Sequence, residues 1–346
     1  MSLDQISSLP PEQQEAILNG PALPPPPGVV PNFANPPNQN AIAHATLAIS
    51  LTLTTIASLI RFCARVFVIK ATRLEDYLAV AAFGTYVGYI YLNYWLILHF
   101  GFFVHQWDVR VKDVSKIFYE IYIGGSLYAV TVGLVKVAIL REWTRIFVPW
   151  PTRNAFWWTC QVLIVANASY YIAGLFVGNL ACIPRQKIWD KTIPGGKCID
   201  NRLSDLIAST VNLLSDLLIL LLPQRVIWKL NLPRKQKLGA SFIFTLGILT
   251  VVSAAFRFYY TVSHWFRDGD TVYAVSAVTL WAVAEMTCMF LVLEVPAAPK
   301  VFGQNGLTAQ IATSLRSWTN LSPKRSIESL DMEDPYNYKK QWTREV

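Results

Sequence analysis

Four ionisable side chains stand inside otherwise apolar stretches of this chain: Lys136, Asp216, Arg257 and Glu285. Charge at membrane depth is costly and is retained where it pairs or faces a wet cavity. Two cations and two anions can neutralise one another, so a packing and pairing network is the plain expectation. Direct contact with a ligand, a proton or an ion is the sharper one. A carboxyl group such as Asp216 or Glu285 can also act as a general acid toward an apolar substrate. Lys136 lies five residues before Arg141 and Asp216 nine before Arg225. At ~1.5 Å per helical residue these offsets put the two groups roughly 7 and 13 Å below the inner boundary. That difference is within reach of a flexible lysine stem, so Lys136 and Asp216 are expected to pair. Asn212, one turn before Asp216, shares its face and can add a hydrogen bond.

Five cysteines occur, and only Cys182 and Cys198 share one loop. A disulfide between them would bracket Trp189, Asp190 and the glycines Gly195 and Gly196, and would contribute on the order of 3 kcal/mol by loop-closure entropy. Two free thiols are the alternative. A zinc site would need four ligands, and no histidine is near. His44, His99, His105 and His264 fall toward the same side as this loop, but their spacing follows no ligand motif. They are expected to be unrelated interfacial residues, although imidazoles gathered there can sense pH or bind metal.

The elements that must position these groups are hydrophobic. Of 346 residues, 53% are hydrophobic and only 15% charged, against about 25% charged in soluble proteins. Seven apolar runs cover residues 41–60, 77–103, 117–140, 155–181, 203–222, 238–262 and 272–295. Each is long enough to cross a bilayer as a helix, and barrel-type alternation is absent. With the amino terminus outside, 19 Lys/Arg fall on the inner side, among them Arg61, Arg65, Lys70 and Arg73 in the first loop, against nine outside. That is the asymmetry of the positive-inside rule. The net charge of +8 therefore reports sidedness, and no nucleic-acid partner is implied. The expected fold is all-α: a seven-transmembrane helix bundle with a cytoplasmic carboxyl terminus. Glu294 lies close to the inner end of its span, and the aromatic runs Tyr86 to Trp95 and Trp157 to Tyr171 can be belt residues or cavity walls.

Residues 1–40 carry no basic residue and many prolines, which predicts an extended, solvated external tail; no signal peptide is apparent ahead of Ala41. After Pro299, a cytoplasmic tail offers Leu307, Ile311, Leu315 and Trp318 at helical spacing, a candidate interfacial helix. Ser322 before Pro323 is a weak phosphorylation match. The glycosylation patterns at Asn167 and Asn320 fall in a span and in the tail, where neither is expected to be used.

Several motifs together resemble the fungal rhodopsin-like integral membrane proteins, the group that includes Pth-type receptor-like proteins and membrane proteins of satratoxin-type mycotoxin gene clusters. They are Arg61 and Arg65 with Leu74, Glu75, Asp76 and Tyr77; Leu127 and Tyr128 through Lys136; the Cys182 to Pro223 stretch; Trp228 with Arg234 to Lys237; Gly247 to Arg257; Asp270 with Thr271; and Trp281 with Glu285. The resemblance covers roughly residues 41 to 300. It implies a receptor-like or accessory role, linked to secondary metabolism or environmental sensing, with ligand contacts from the outer loops, Trp189, Asp190 and Asp200 included. Retinal chemistry is not implied, because a Schiff base needs a lysine in the last helix and residues 271–296 contain none.

Motifs for phosphate cradling, zinc hydrolysis, nucleophile elbows and dinucleotide binding are missing, as are the acidic-Arg-Tyr and Asn-Pro-x-x-Tyr signatures of animal receptors. No residue is assigned a catalytic or metal-ligating role, and no cofactor is called for. The expected partners are the lipid bilayer, a small-molecule ligand of unknown identity and a cytoplasmic signalling partner at the basic loops and tail. The default location is the plasma membrane. The alternatives are a membrane-embedded enzyme acting on an apolar substrate and a transporter, for which internal repeats would be expected and none is seen.

Overall fold

Apolar runs in a chain that must satisfy its backbone internally become helices, and the computed structural model, which describes residues 9–148, 152–224 and 234–297, is built from them. A short helix α1 (Pro11–Asn19) precedes the long helices α2 (Asn40–Cys63), α3 (Leu74–His99), α4 (Val111–Phe147), α5 (Ala155–Asn179), α6 (Asn201–Leu221), α7 (Arg234–Ser263) and α8 (Thr271–Glu294). Six of the described helical stretches are long and apolar enough to cross a membrane. The exception among the long helices is α3, whose Tyr86, Tyr89, Tyr91, Asn93 and Tyr94 dilute its hydropathy over 26 residues.

Packing is inside-out relative to a soluble protein. Leu53, Val80, Val162, Val165, Phe176 and Leu218 are exposed, while Lys136, Glu285, Arg61, Asn212 and Asp216 are buried. Lipid is the solvent that makes such a distribution favourable, since apolar side chains cost nothing there and polar ones must find partners inside. Helix α3 packs on α4, α4 on α5, α6 on α7, α7 on α8, and α8 closes the ring against α2 while also touching α4. Hydroxyl bonds tie neighbours across the core: Thr85 to Thr131 at 2.8 Å, Tyr86 to Thr287 at 3.0 Å. Asn167 is buried and accepts from Ser215 at 2.6 Å, joining α5 to α6.

Helix boundaries differ from those expected at several places: α3 ends at His99 rather than 103, α4 begins at Val111 rather than 117, and two helices run on past charged residues. Helix α2 does not stop at Ile60; it continues through Arg61 and Arg65 and widens into a π turn to Ile69, ending at Lys70 with φ 51°. Helix α4 does not stop at Leu140 but runs on to Phe147. In both cases charged residues beyond the apolar run, Arg61 and Arg65 after the first and Glu142 and Arg145 after the third, find counterions in the fold, so the helix has no need to break. Arg61 and Arg65, expected in a loop, are only 3% and 4% exposed.

The amino-terminal segment also departs from a purely extended tail. Pro11 occupies the first helical turn, where a missing N–H costs nothing, and Pro11–Asn19 is helical. The residues between α1 and α2 are tied to the α3–α4 connection. Ala22 N–H donates to Val109 O at 2.9 Å, Val111 N–H donates to Gly20 O at 3.1 Å, and Asn32 N–H donates to Asp108 at 2.8 Å. Proline-rich composition suppresses regular structure but not docking of the remaining backbone donors. The interfacial-helix stripe, Ser322, Asn320 and the Trp228 to Lys229 motif lie outside the described residues.

Between α5 and α6, strands β1 (Cys182–Ile183) and β2 (Lys197–Cys198) pair antiparallel, with Cys182 opposite Cys198, and a disulfide joins them. Trp189 packs against Tyr119 and Tyr122 of α4 at 5.2 and 5.5 Å between ring centroids. Arg185 donates to the Tyr122 hydroxyl at 2.7 Å and to Asn179 at 3.0 Å. Burial and the neighbouring Lys187 hold the Lys191 ammonium below the ordinary lysine range. Gly196 has φ 76°, and a Cβ there would collide with Ile183 O. Gly196→Ala is therefore expected to open the strand pair at a cost of roughly 1–3 kcal/mol, and Cys182→Ser with Cys198→Ser to cost about 3 kcal/mol. Melting of the purified protein measures both; an alanine variant that melts with the wild type would show the loop to be slack.

Candidate functional site

Two ion pairs form the floor of the site. Lys136 of α4 meets Asp216 of α6 at 2.9 Å, and Arg257 of α7 meets Glu285 of α8 at 2.8 Å. Asn212 joins them. Its Oδ1 accepts from Lys136 Nζ at 3.0 Å and from the Tyr171 hydroxyl at 2.5 Å, while its Nδ2 donates to Asp216 at 3.0 Å and to Glu285 at 2.7 Å. An amide offers two donors and two acceptor lone pairs, and here all four are used. Tyr128 adds its hydroxyl to Glu285 at 2.8 Å, and the Arg257 guanidinium lies over the Tyr128 ring at 5.0 Å. Helices α4, α6, α7 and α8 are thereby locked at one depth.

Because each buried charge has its counterion, losing one leaves the other stranded, whereas losing both does not. Lys136→Met and Asp216→Leu are each expected to cost about 3 kcal/mol, and the double variant markedly less than their sum. Thermal melts of the four proteins in detergent decide it; additive losses would mean that the contact carries no coupling.

Above this floor lies a cavity of about 370 Å³. Its walls include Tyr89, Leu92 and Asn93 of α3, Gly124, Gly125 and Tyr128 of α4, Tyr170 and Tyr171 of α5, Asn212 and Arg257. Glu120, Asp205, His264 and Trp265 stand near the helix ends that carry the disulfide loop, so the cavity belongs to that half of the bundle. The aromatic runs thus divide: Tyr89 and Tyr171 are buried walls, while Tyr91 and Trp158 are exposed on the outer surface.

The loop residues singled out from the sequence stand elsewhere. Trp189 rests on α4, against Tyr119 and Tyr122. Asp190 accepts from Thr192 N–H at 3.0 Å and from its hydroxyl at 2.6 Å, holding the loop's own turn. Asp200 caps α6 by accepting from Arg202 N–H at 2.9 Å. None of the three lines the cavity. Of the histidines, His264 lines the cavity, and His105 meets Asp270 at 2.8 Å between the rings of Trp107 and Tyr273. Among the described residues no group of three or more His, Cys, Asp or Glu is arranged to hold a metal.

A second charged cluster occupies the opposite end of the bundle. Arg61 meets Asp76 at 2.8 Å, Glu142 at 2.9 Å and Glu294 at 3.5 Å, and donates to Leu293 O at 2.7 Å. Arg65 meets Glu142 at 2.8 Å and Asp76 at 3.1 Å, and Arg145 meets Glu75 at 2.8 Å as well as Glu142. Helices α2, α3, α4 and α8 converge there. From the sequence, Arg61 and Arg65 are expected in the first inner loop and, with Glu75 and Asp76, among the motif residues, and Arg145 in the next inner loop; no pairing with Glu142 is expected. The i, i+3 spacing of Glu142 and Arg145 within a continuing helix was the available signal.

Apolar exteriors, a polar core and several bilayer-length helices define a multi-pass integral membrane protein. The fungal rhodopsin domain family matches residues 60–304, and the chain belongs to that family. It is 42% identical over 296 residues to a Gibberella zeae protein named Fugralins biosynthesis cluster protein 2, covering 85% of this chain and 73% of that relative. A SAT4 family membrane protein of Emericella nidulans is 30% identical over 227 residues, 65% of this chain and 57% of the relative. A protein of Arthrobotrys oligospora named Receptor GIN3 is 26% identical over 238 residues, 67% of this chain and 55% of the relative.

Proposed function

We propose that this protein is a receptor-like membrane protein that binds a small molecule in the cavity above the Lys136–Asp216 and Arg257–Glu285 pairs. In this reading α3 is a seventh span, the amino terminus is outside, and the carboxyl terminus is cytoplasmic at the plasma membrane. The observation that carries it is the cavity itself: an aromatic-walled space of about 370 Å³, a size suited to small ligands, whose floor couples four helices. The names of the relatives, one a receptor and one a biosynthesis-cluster protein, support a sensing or accessory role beside secondary metabolism. A membrane-embedded enzyme is less well supported. Asp216 and Glu285 are brought together by Asn212, yet each is matched by a cation and so is poorly placed to exchange a proton.

Gly125 lines the cavity and an added Cβ there meets nothing within 4 Å, so Gly125→Leu puts side-chain bulk into that open space. A deletion strain complemented with this variant is expected to behave as the deletion does in its transcriptional response, while wild-type complementation restores it. If instead both the deletion and the variant accumulate one biosynthetic intermediate, the protein is an enzyme. Topology has its own test. An epitope ahead of Ala41 is expected to be labelled on intact cells and one after Val346 only on permeabilised cells; the reverse pattern would invert the topology.

A further inference from the structure

Among the described residues lining the cavity, Arg257 on the floor and Trp265 near the outer helix ends each have a buried side-chain donor without a hydrogen-bond partner. Arg257, which lines the cavity, gives its Nε to Glu285 at 2.8 Å and lays its guanidinium over Tyr128, but its Nη2 is buried and has no hydrogen-bond partner. A buried donor of this kind is expensive to leave unmade, and more so when charged. The neighbouring hydroxyls do not compete for the same role. Tyr128 donates to Glu285 and Tyr171 to Asn212, so both are committed to the floor and offer the cavity their rings.

Charge decides what kind of acceptor fits. The floor is already balanced, two cations against two carboxylates. A ligand carboxylate would leave it one negative charge in excess, and Glu120 and Asp205 on the cavity wall would add repulsion at low dielectric. An ammonium would face Arg257 and leave its donor unmet. An uncharged oxygen meets the requirement without upsetting the balance. We propose that the cavity takes an uncharged, largely apolar molecule whose carbonyl oxygen accepts from Arg257, its body lying among Tyr89, Tyr128, Tyr170 and Leu92. This rests on reading the cavity as the ligand site and names the class of ligand it selects.

The test uses the purified full chain in phosphatidylcholine nanodiscs, with empty nanodiscs correcting for partition. The probes share one ring system substituted at one position: acetylnaphthalene carries the acceptor, ethylnaphthalene lacks it, and naphthoate carries the charge. Acetylnaphthalene is expected to bind at least about tenfold more tightly than either, in keeping with a hydrogen bond to a charged donor. Its isotope-labelled carbonyl stretch should move to lower frequency. Both effects should vanish in Gly125→Leu, which puts bulk into the space, and in Arg257→Lys, which keeps a cation for Glu285 but loses the forked donor. Where Arg257→Lys fails to fold, the carbonyl stretch of the probe on the wild type decides. Equal or tighter binding of ethylnaphthalene or naphthoate, an unshifted stretch, persistence in Gly125→Leu or no binding of acetylnaphthalene would each overturn the assignment. Failure of the receptor reading would appear instead in the complemented strain, with probe binding intact.

Discussion

Asn212→Asp is expected to be among the most damaging substitutions in the bundle, although it changes no side-chain volume. The amide nitrogen that now donates to Asp216 at 3.0 Å and Glu285 at 2.7 Å would become an oxygen facing two carboxylates. Two donations are lost and a third negative charge is placed where two cations already have partners. The loss should reach about 5 kcal/mol, the upper end for a buried uncompensated charge. Asn212→Ala removes the bridge without adding charge and should cost less, on the order of 2–3 kcal/mol for the groups left unsatisfied. Yield and melting temperature of the two variants in detergent give the order. If alanine is the worse of the two, the amide acts through packing, and the charged floor does not depend on its polarity.

That hub shows why the fold was legible in the sequence and the site only partly so. Span positions follow from composition, because a bilayer imposes one length and one polarity on every element that crosses it. Intramembrane charges stand out for the same reason, and Lys136, Asp216, Arg257 and Glu285 could be picked individually. Counting depth along the helices was enough to pair Lys136 with Asp216, which meet at 2.9 Å; that Arg257 meets Glu285 is a matter of helix rotation and tilt, and no local pattern encodes those. The depth estimate for Lys136 took Arg141 as the end of its helix, yet α4 continues to Phe147, so the pair lies nearer the middle of that helix than the count implied. Tyr128 and Tyr171 were hidden differently: a tyrosine in an apolar run reads equally as belt, packing or hydrogen-bond donor. Trp189, Asp190 and Asp200 are conspicuous in the sequence around two cysteines, yet none of them lines the cavity. Asp190 and Asp200 are used for a turn and a helix cap, the commonest local roles of such residues.

Glu142→Gln is expected to loosen the opposite end of the bundle by about 5 kcal/mol, the high end for breaking a buried pair. Glu142 is 4% exposed and receives three arginines, Arg61 at 2.9 Å, Arg65 at 2.8 Å and Arg145. Glutamine keeps the shape and one acceptor oxygen but turns the other position into a donor aimed at cations. Arg61 and Arg65 retain Asp76 at 2.8 and 3.1 Å and Arg61 keeps Glu294 at 3.5 Å, but Arg65 is left sharing its one remaining carboxylate with Arg61, so the junction of α2, α3 and α4 is held less tightly. Arg145→Ala is the control. That side chain is 24% exposed and Glu142 keeps other cations, but buried Glu75 meets no other cation among the described residues, so removing Arg145 should cost about 3 kcal/mol, less than Glu142→Gln. The cluster also joins α8, through Arg61 to Glu294 and Leu293 O, and α8 carries Glu285. A ligand that shifts Arg257 and Glu285 therefore acts on the helix whose far end this cluster holds. In Glu142→Gln that end is released, so the mutant should bind acetylnaphthalene as the wild type does while its melting temperature falls. A variant that loses probe binding together with stability would mean that the two ends fold as one unit and cannot be moved separately.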